Sequence, residues 1–228
     1  MSRPEVRSAY LKGNKMYKYL LFDLDGTLTD PGEGITNSVT YALKKWGIEV
    51  SDRRELYCFI GPPLSASFKK YFGFSESDAL LCVDYYREYF RDRGIFENRV
   101  YDGIPELLER LKAEGKVLIL ATSKPEKFAK QILEHFELSE YFDFIAGASM
   151  DESRNKKSDV IAYAIGMAGV ENREEALMIG DRDQDVLGAE ANGLDSLGVL
   201  FGYGSREELE GSGATYIART VDDILRLV

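Results

Sequence analysis

The feature that most constrains the fold of this chain is a regular alternation of short apolar runs and amphipathic segments after residue 102. The apolar runs lie at 117–121, 142–146, 176–179 and 196–200. Helical spacing of apolar residues fills the intervals near 125–135, 158–168 and 184–192. Short apolar strands joined by amphipathic helices are typical of βαβ units in a parallel sheet. Since parallel crossovers are right-handed, we predict an open α/β sheet with helices on both faces.

The segment before this alternation has a different character. An apolar run at 18–22 predicts a further buried strand, which ends in a tight loop with the sequence Asp-Leu-Asp-Gly-Thr. Residues 33–46 and 76–93 then show helical spacing of apolar side chains, and residues 59–64 form a loop rich in Gly and Pro. The stretch from 31 to 99 is therefore predicted to contain only helices and loops.

These patterns divide the chain into two predicted domains and an extension. Residues 16–30 and 100–228 are expected to form an α/β core, and residues 31–99 an inserted, all-α helical domain. Residues 1–15 are polar, and we expect them to form a loosely held N-terminal extension.

Composition excludes several functional classes. The net charge of −10 argues against a nucleic-acid polymer or an anionic membrane as partner. No apolar run approaches the roughly 20 residues of a membrane span, and no secretory signal is recognisable. Two cysteines and one histidine supply neither a disulfide framework nor a zinc cluster. We therefore expect a soluble, cytoplasmic protein.

Polar residues of an unusual kind follow three of the predicted strands. They are Asp23 and Asp25 after the first strand, Thr122 and Ser123 after the second, Asp181 and Asp185 after the strand at 176–179, and the pair Lys156 and Lys157 before that strand. Each set alone is typical of an ordinary helix cap, turn or solvated face. Ligands of open parallel sheets bind beyond the carboxyl ends of the strands, so we expect these residues to share one site.

The residue types at this predicted site favour phosphoryl transfer. Clustered carboxylates repel one another unless a cation lies between them, and oxygen ligands without imidazole or thiolate suit Mg²⁺ better than zinc. A lysine, a hydroxyl and loop N–H groups would complete a phosphate-binding cradle. One carboxylate can attack phosphorus to form an aspartyl-phosphate. A second carboxylate two residues later can protonate the leaving oxygen and then activate water.

Four motifs in order give the chain, from about Met16 to its end, a close resemblance to the phosphatase branch of the haloacid dehalogenase superfamily. Asp23-Leu24-Asp25-Gly26-Thr27 is similar to the first family motif, Asp-x-Asp-x-Thr. Thr122 matches the second motif, Lys157 or Lys156 the third, and Gly180-Asp181 through Asp185 the fourth. The resemblance implies a Rossmann-like core, with residues 31–99 as a mobile helical cap.

The resemblance also implies a role for each motif residue. Asp23 would be the nucleophile and a Mg²⁺ ligand, and Asp25 the general acid and base, with its main-chain carbonyl on the metal. Asp181 would bind Mg²⁺, and Asp185 would support the ion directly or through water. The implied substrate-binding residues are Thr122, Ser123 and one of the two lysines, of which Lys157 is favoured because it stands at the predicted helix start.

Substrate choice is less constrained by these motifs. The chain resembles phosphoglycolate phosphatases and, more closely, bacterial 5′-nucleotidase-like members, so we expect a small phosphorylated metabolite as substrate. Gly61, in the loop Gly61-Pro62-Pro63, is the candidate substrate contact from the cap, although an ordinary interhelical turn explains this loop equally well. A phosphomutase of the same fold, similar to β-phosphoglucomutase, and an inactive binding protein are the alternatives. We expect a monomer or a homodimer.

Overall fold

The computed structural model describes residues 16–151 and 153–228, and the predicted extension at 1–15 lies outside them. The strands are β1 (Tyr19–Phe22), β2 (Thr29–Asp30), β3 (Arg99–Val100), β4 (Val117–Pro125), β5 (Phe144–Ala148), β6 (Ala176–Gly180), β7 (Asp195–Val199) and β8 (Tyr216–Ala218). The α-helices are α1 (Gly32–Lys44), α2 (Leu64–Phe72), α3 (Glu76–Tyr89), α4 (Ile104–Ala113), α5 (Glu126–His135), α6 (Lys157–Met167), α7 (Asp183–Ala191), α8 (Arg206–Gly211) and α9 (Val221–Leu227). Short 3₁₀ turns cover Arg53–Phe59, Ser139–Tyr141 and Arg173–Glu175, and a π turn covers Phe90–Gly94.

The predicted parallel sheet is confirmed, with one strand more than the apolar runs indicated. Six strands lie in the order β5-β4-β1-β6-β7-β8, and every pairing in this sheet is parallel. Strand β1 is central, with β4 on one side and β6 on the other. The chain order reverses around β1, which makes its carboxyl end the place where connections diverge and a ligand can enter.

Successive side chains of the central strands point to opposite faces of the sheet and pack in two separate apolar cores, one on each face. Leu20 and Phe22 of β1 belong to one core, whereas Leu21 belongs to the other. Helices α4, α5 and α9 pack on the first face and α6 and α7 on the second. The side-chain period of two in a strand produces this division, and it confirms helices on both faces.

The interval between β2 and β3 is helical, as expected. Strands β2 and β3 pair antiparallel, Thr29 with Val100, so the chain leaves the core and returns to it through one short ladder. The aromatic ring of Phe90 lies 5.6 Å from that of Phe128 on α5. Buried residues of this interval and of the core therefore form one continuous apolar cluster. The exact domain boundaries stay a prediction.

Several elements differ from the sequence-based expectation. The strand expected at 117–121 continues as β4 to Pro125, with a register irregularity after Thr122. The helix expected at 76–93 ends at Tyr89 and continues as a wider π turn, where Gly94 packs so closely on α1 that a Cβ would overlap Ser38. Helices α2, α8 and α9 and strands β2, β3 and β8 were not predicted.

In the part of the chain that the structure describes, no helix combines the length and the apolar character that crossing a membrane requires.

Candidate active site

Three buried aspartates meet at the carboxyl edge of the sheet. Phe22 at the end of β1 pairs with Ile179 of β6, so Asp23 follows β1 directly and Asp181 follows Gly180 at the end of the neighbouring strand. Asp185 lies in the first turn of α7, where its Oδ2 accepts a hydrogen bond from the Arg182 N–H at 3.0 Å and caps the helix. One carboxylate oxygen from each aspartate lies within 4.8 Å of the others. The structure thus brings together three of the aspartates that the sequence analysis singled out.

Lys157 is the cation at the centre of this cluster. Its Nζ lies 2.8 Å from Asp23 Oδ1 and 2.7 Å from Asp185 Oδ1, and it donates to the Ala121 carbonyl at 3.0 Å. Lys156 precedes the first residue of α6 and is exposed, and the structure does not bring it into the cluster. The sequence had left these two lysines as alternatives.

Electrostatic interactions within the cluster are strong because water is excluded. Burial, and then the charges of Asp185 and Asp23, hold the pKa of Asp181 well above the ordinary Asp value. Burial also raises the pKa of Asp185 to about 6, although Lys157 opposes the shift. Burial alone would lower the pKa of Lys157, but Asp185 and Asp23 outweigh it and keep that pKa above the usual Lys value. One lysine therefore does not neutralise all three carboxylates.

The cluster fits a metal site. Asp181 Oδ2 accepts the Tyr203 N–H at 2.7 Å, whereas Asp181 Oδ1 is buried and finds no hydrogen-bond donor among the residues that the structure describes. A buried carboxylate oxygen without a donor is costly unless a cation satisfies it. Gly26 lies directly over this group, with φ +84° and no space for a Cβ beside the Asp181 carboxylate. The loop after β1 is thus shaped around Asp181.

Asp25 is not one of the three clustered aspartates and pairs with a second lysine. Its Oδ2 lies 2.8 Å from Nζ of Lys124, and both side chains are buried. Burial raises the pKa of Asp25, and the charge of Lys124 opposes that rise. Lys124 stands beside Thr122 and Ser123 at the end of the second predicted strand, but the sequence analysis gave it no role in the site.

The remaining predicted residues are distributed between the sheet edge and the cap. Thr122 is buried, and its Oγ1 accepts the Lys124 N–H at 3.2 Å. The Ser123 hydroxyl is buried without a hydrogen-bond partner among the described residues, and Ser123 lines a cavity beside Asp25. Gly61 lines the same cavity. The loop that contains Gly61 therefore borders the cavity beside Asp25, and its role as a substrate contact stays a prediction.

The cavity lies between the sheet edge and the cap. Its polar lining includes Asp25, Ser123, Lys124 and Arg87. Aromatic and aliphatic side chains from the cap complete it, among them Phe59, Tyr86 and Phe90. Nζ of Lys124 also lies 4.6 Å from the centre of the Phe90 ring, so the cation that pairs with Asp25 contacts the cap as well.

A doubly wound sheet that gathers three carboxylates and a buried lysine at its carboxyl edge has the groups to bind a cation together with a phosphate ester. Comparison with known families agrees, since residues 20–199 match the model of the haloacid dehalogenase-like hydrolases. The chain belongs to this family.

Individual relatives show which members of this hydrolase family the chain is similar to. A 5′-nucleotidase from Pseudomonas aeruginosa is 48% identical over 200 residues, which cover 88% of this chain and 90% of that protein. A solved structure of a predicted phosphatase from Clostridium acetobutylicum is 53% identical with a TM-score of 0.90, covering 92% of this chain and 97% of its own. The tyrosine-protein kinase PtkA of Mycobacterium tuberculosis is 39% identical over 90% of this chain and 70% of its own length. Family and phosphatase relatives make this chain a phosphomonoesterase.

Proposed function

We propose that the protein hydrolyses a small phosphorylated metabolite in a Mg²⁺-dependent reaction that passes through an aspartyl-phosphate on Asp23. The observation that carries the proposal is the position of Asp23: it shares Lys157 with Asp185, and Asp181 lies beside it. A nucleophile, a phosphate-binding cation and metal ligands then stand within reach of one phosphoryl group.

Metal binding is the first part of the proposal. Asp23 and Asp181 would hold Mg²⁺ together with the main-chain carbonyl of Asp25, and Asp185 would support the ion directly or through water. Bound Mg²⁺ would neutralise charge on the phosphoryl oxygens and help to orient them. The partnerless oxygen of Asp181 and the raised pKa of that carboxyl support a divalent cation here.

The chemical steps belong to the two aspartates of the first loop. A carboxylate oxygen of Asp23 forms a bond to phosphorus while the bond from phosphorus to the leaving oxygen breaks, and the Asp25 carboxyl donates its proton to that oxygen. Water then attacks the aspartyl-phosphate, Asp25 accepts the proton, and inorganic phosphate leaves with Asp23 restored. Lys157, Thr122 and Ser123 would hold the phosphoryl oxygens throughout.

The cavity beside Asp25 favours a leaving group with a flat or apolar body. Its walls combine aromatic side chains with the cation of Arg87, whose nearest ion-pair partner in the described part of the chain is an Asp84 oxygen at 3.9 Å. A nucleoside 5′-monophosphate suits such walls, in keeping with the relative named 5′-nucleotidase. A phosphoglycolate phosphatase type is the second substrate hypothesis, and it predicts a smaller leaving group with a carboxylate near Arg87.

Partners and location remain proposals of the same kind. The net charge of −10 supports a small-molecule substrate, not a nucleic-acid polymer or a membrane. A monomer or a homodimer would suffice because each described chain carries the whole cluster. A cytoplasmic location is supported by Cys58 and Cys82, which are both free thiols.

The test is phosphate release from a panel of phosphomonoesters, measured with Mg²⁺ and with EDTA. The panel contains nucleoside 5′-monophosphates, phosphoglycolate, sugar phosphates and pyrophosphate. We expect metal-dependent release, and a loss on the order of 10³-fold or more in Asp23→Asn. Asp183→Asn is the matched control, since it changes a carboxylate of the fourth motif outside the cluster.

A separate experiment tests for the aspartyl-phosphate intermediate. Asp25→Asn lacks the group that activates water, so after acid quench during turnover of p-nitrophenyl phosphate we expect a phosphate adduct on the peptide that contains Asp23. Release that survives EDTA and Asp23→Asn would contradict the mechanism. Conversion of a sugar 1-phosphate to its 6-phosphate without net release would favour the phosphomutase, and binding of Mg²⁺ with no turnover across the panel would favour the inactive binding protein.

A further inference from the structure

Arg182 stands between two aspartates of the fourth motif, yet its side chain leaves the carboxylate cluster. Its Nη1 donates to the main-chain carbonyl of Ile60 at 2.7 Å. Ile60 ends the 3₁₀ turn of the inserted segment and immediately precedes Gly61. One hydrogen bond from a charged donor therefore joins the metal-binding loop of the core to the cap loop.

A second residue fixes the direction of this guanidinium. Oε1 of Glu208, on α8, accepts from Arg182 Nε at 2.8 Å and also from the Asp183 N–H at 2.9 Å. The side chains of Arg182 and Glu208 are only 19% and 25% exposed. A mostly buried ion pair with well-oriented hydrogen bonds fixes its side chains more firmly than an exposed pair does, because fewer alternative side-chain conformations are accessible.

The cap loop is shaped to lie on the arginine. Gly61 has φ +103°, and a Cβ there would come within 3.1 Å of Cγ of Arg182. Pro62 and Pro63 follow, and proline limits the backbone freedom of this turn. Both prolines and Leu64 line the cavity beside Asp25. The loop thus touches Arg182 at one end and the cavity along its remaining length.

We propose that Arg182 is a positioning residue, which holds residues 60–64 against the core so that this loop forms the wall of the leaving-group cavity, and that Glu208 orients it. The structural part is independent of the reaction. The kinetic part rests on the proposed function, because it concerns how tightly a leaving group is held beside Asp25.

The kinetic consequence depends on the size of the leaving group. A substrate whose leaving group occupies the cavity loses binding when the wall is no longer held, so its KM rises while kcat changes little. A substrate with a very small leaving group does not contact the wall. p-Nitrophenyl phosphate and acetyl phosphate are suitable probes of these two cases.

The experiment compares Arg182→Met and Glu208→Gln with Arg206→Met as matched control. Arg206 pairs with Glu210 on the exposed side of the same helix, at 2.6 Å. Hydrogen exchange of the amides in residues 57–64 is measured without substrate, and KM and kcat are measured with both probes. In Arg182→Met we expect faster exchange and a rise in KM on the order of tenfold for p-nitrophenyl phosphate only. Glu208→Gln should follow with smaller effects, and the control should match the unmodified protein.

Each of the other possible outcomes either contradicts or supports the proposed role of Arg182. Unchanged exchange in a folded Arg182→Met would overturn the positioning role. An equal loss of kcat for both probes would show that Arg182 acts on the neighbouring carboxylates instead. If Arg182→Met does not fold, unchanged exchange in Glu208→Gln overturns the proposal and faster exchange supports it. If the unmodified protein turns over neither probe, the proposed function fails while the exchange measurement still decides the position of the loop.

Discussion

At the scale of single residues, the proposed function adds a chemical role to the structural role of Lys157. It is buried, and it is the cation that contacts both Asp23 and Asp185. Removing one partner from a buried ion pair leaves uncompensated charge, which is strongly destabilising. The same removal would take away a ligand of the phosphoryl group. A substitution here therefore affects stability and turnover together.

We predict that Lys157→Met lowers phosphate release by about 100-fold or more, because Asp23 loses its cation and the phosphoryl oxygens lose a donor. Lys156→Met is the matched control and should stay within about twofold, since Lys156 is exposed. Melting temperatures of both variants, with and without Mg²⁺, separate the two roles. The destabilisation in Lys157→Met should be partly reversed by Mg²⁺, as the ion also neutralises the cluster. A larger loss in Lys156→Met would contradict this assignment.

The individual residues show how much of the candidate site could be predicted from the sequence. Asp23, Asp181 and Asp185 follow from a rule about strand ends, so sequence alone placed them together. Lys156 and Lys157 stayed undecided because neighbouring residues at a helix start point in different directions. Lys124 and Arg182 were not assigned to partners, since a long side chain can reach many groups and only packing selects one.

At the scale of elements, Asp143 joins three of them just before β5. Its carboxylate accepts from Lys112 of α4 at 2.7 Å and from the Leu118 N–H of β4 at 2.9 Å. Burial alone would raise the pKa of Asp143, but these hydrogen bonds outweigh it and lower that pKa below the ordinary value of 3.8. The ionised form is thus preferred in the folded state.

We predict that Asp143→Asn lowers the melting temperature at pH 7 by roughly 2–4 °C, equivalent to about 1 kcal/mol for a half-exposed pair. A lowered folded-state pKa gives stability that is present above the ordinary value of 3.8 and is lost as pH falls through the lowered value. The difference from the unmodified protein should therefore shrink as pH falls below 3.8 and disappear only below the lowered folded-state pKa of Asp143. Thermal denaturation across pH measures this.

The exposed Asp102→Asn is the control for that series and should leave the melting temperature unchanged at every pH. A difference that persists at low pH would show that packing, not charge, explains the effect of Asp143→Asn.

Elements were predictable where an apolar run or a helical period was long enough. Strand β8 has only three residues, Tyr216-Ile217-Ala218, which is too short a run to predict a strand, so its identity comes from pairing with β7. The strand expected at 142–146 lies at Phe144–Ala148, because Asp143 is held in the preceding turn by its three hydrogen bonds. Strand pairing and side-chain hydrogen bonds between elements depend on residues that are distant in the sequence, so a local sequence pattern does not predict them.

At the scale of the whole molecule, the net charge of the chain does not reveal where its cations lie. The chain carries a net charge of −10, yet Lys124, Lys157 and Arg87 stand at the cluster or its cavity. Close, poorly hydrated cations act more strongly on a phosphate than distant exposed carboxylates, which salt screens. Composition therefore supports expectations about broad classes of partner but does not describe the site.

Whether the cap and the core unfold as one cooperative unit can also be tested. Cap and core share one apolar cluster, joined by contacts such as that of Phe90 with Phe128. An insertion that buries its side chains in the same cluster as the core should unfold with it. The chain offers a local probe, because its single tryptophan, Trp46, lies in the inserted segment, 5.0 Å from the ring of Phe74.

We predict that urea unfolding followed by Trp46 fluorescence and by far-ultraviolet circular dichroism gives the same midpoint. Fluorescence reports the inserted segment, whereas circular dichroism reports mainly the larger α/β core, so coincidence means one cooperative unit. Phe90→Ala tests the cause, since it removes a ring that is only 3% exposed between cap and core. In that variant we expect the Trp46 transition to move to lower urea than the circular dichroism transition. Separate midpoints in the unmodified protein would instead mean that the cap is an independent domain that only docks on the core.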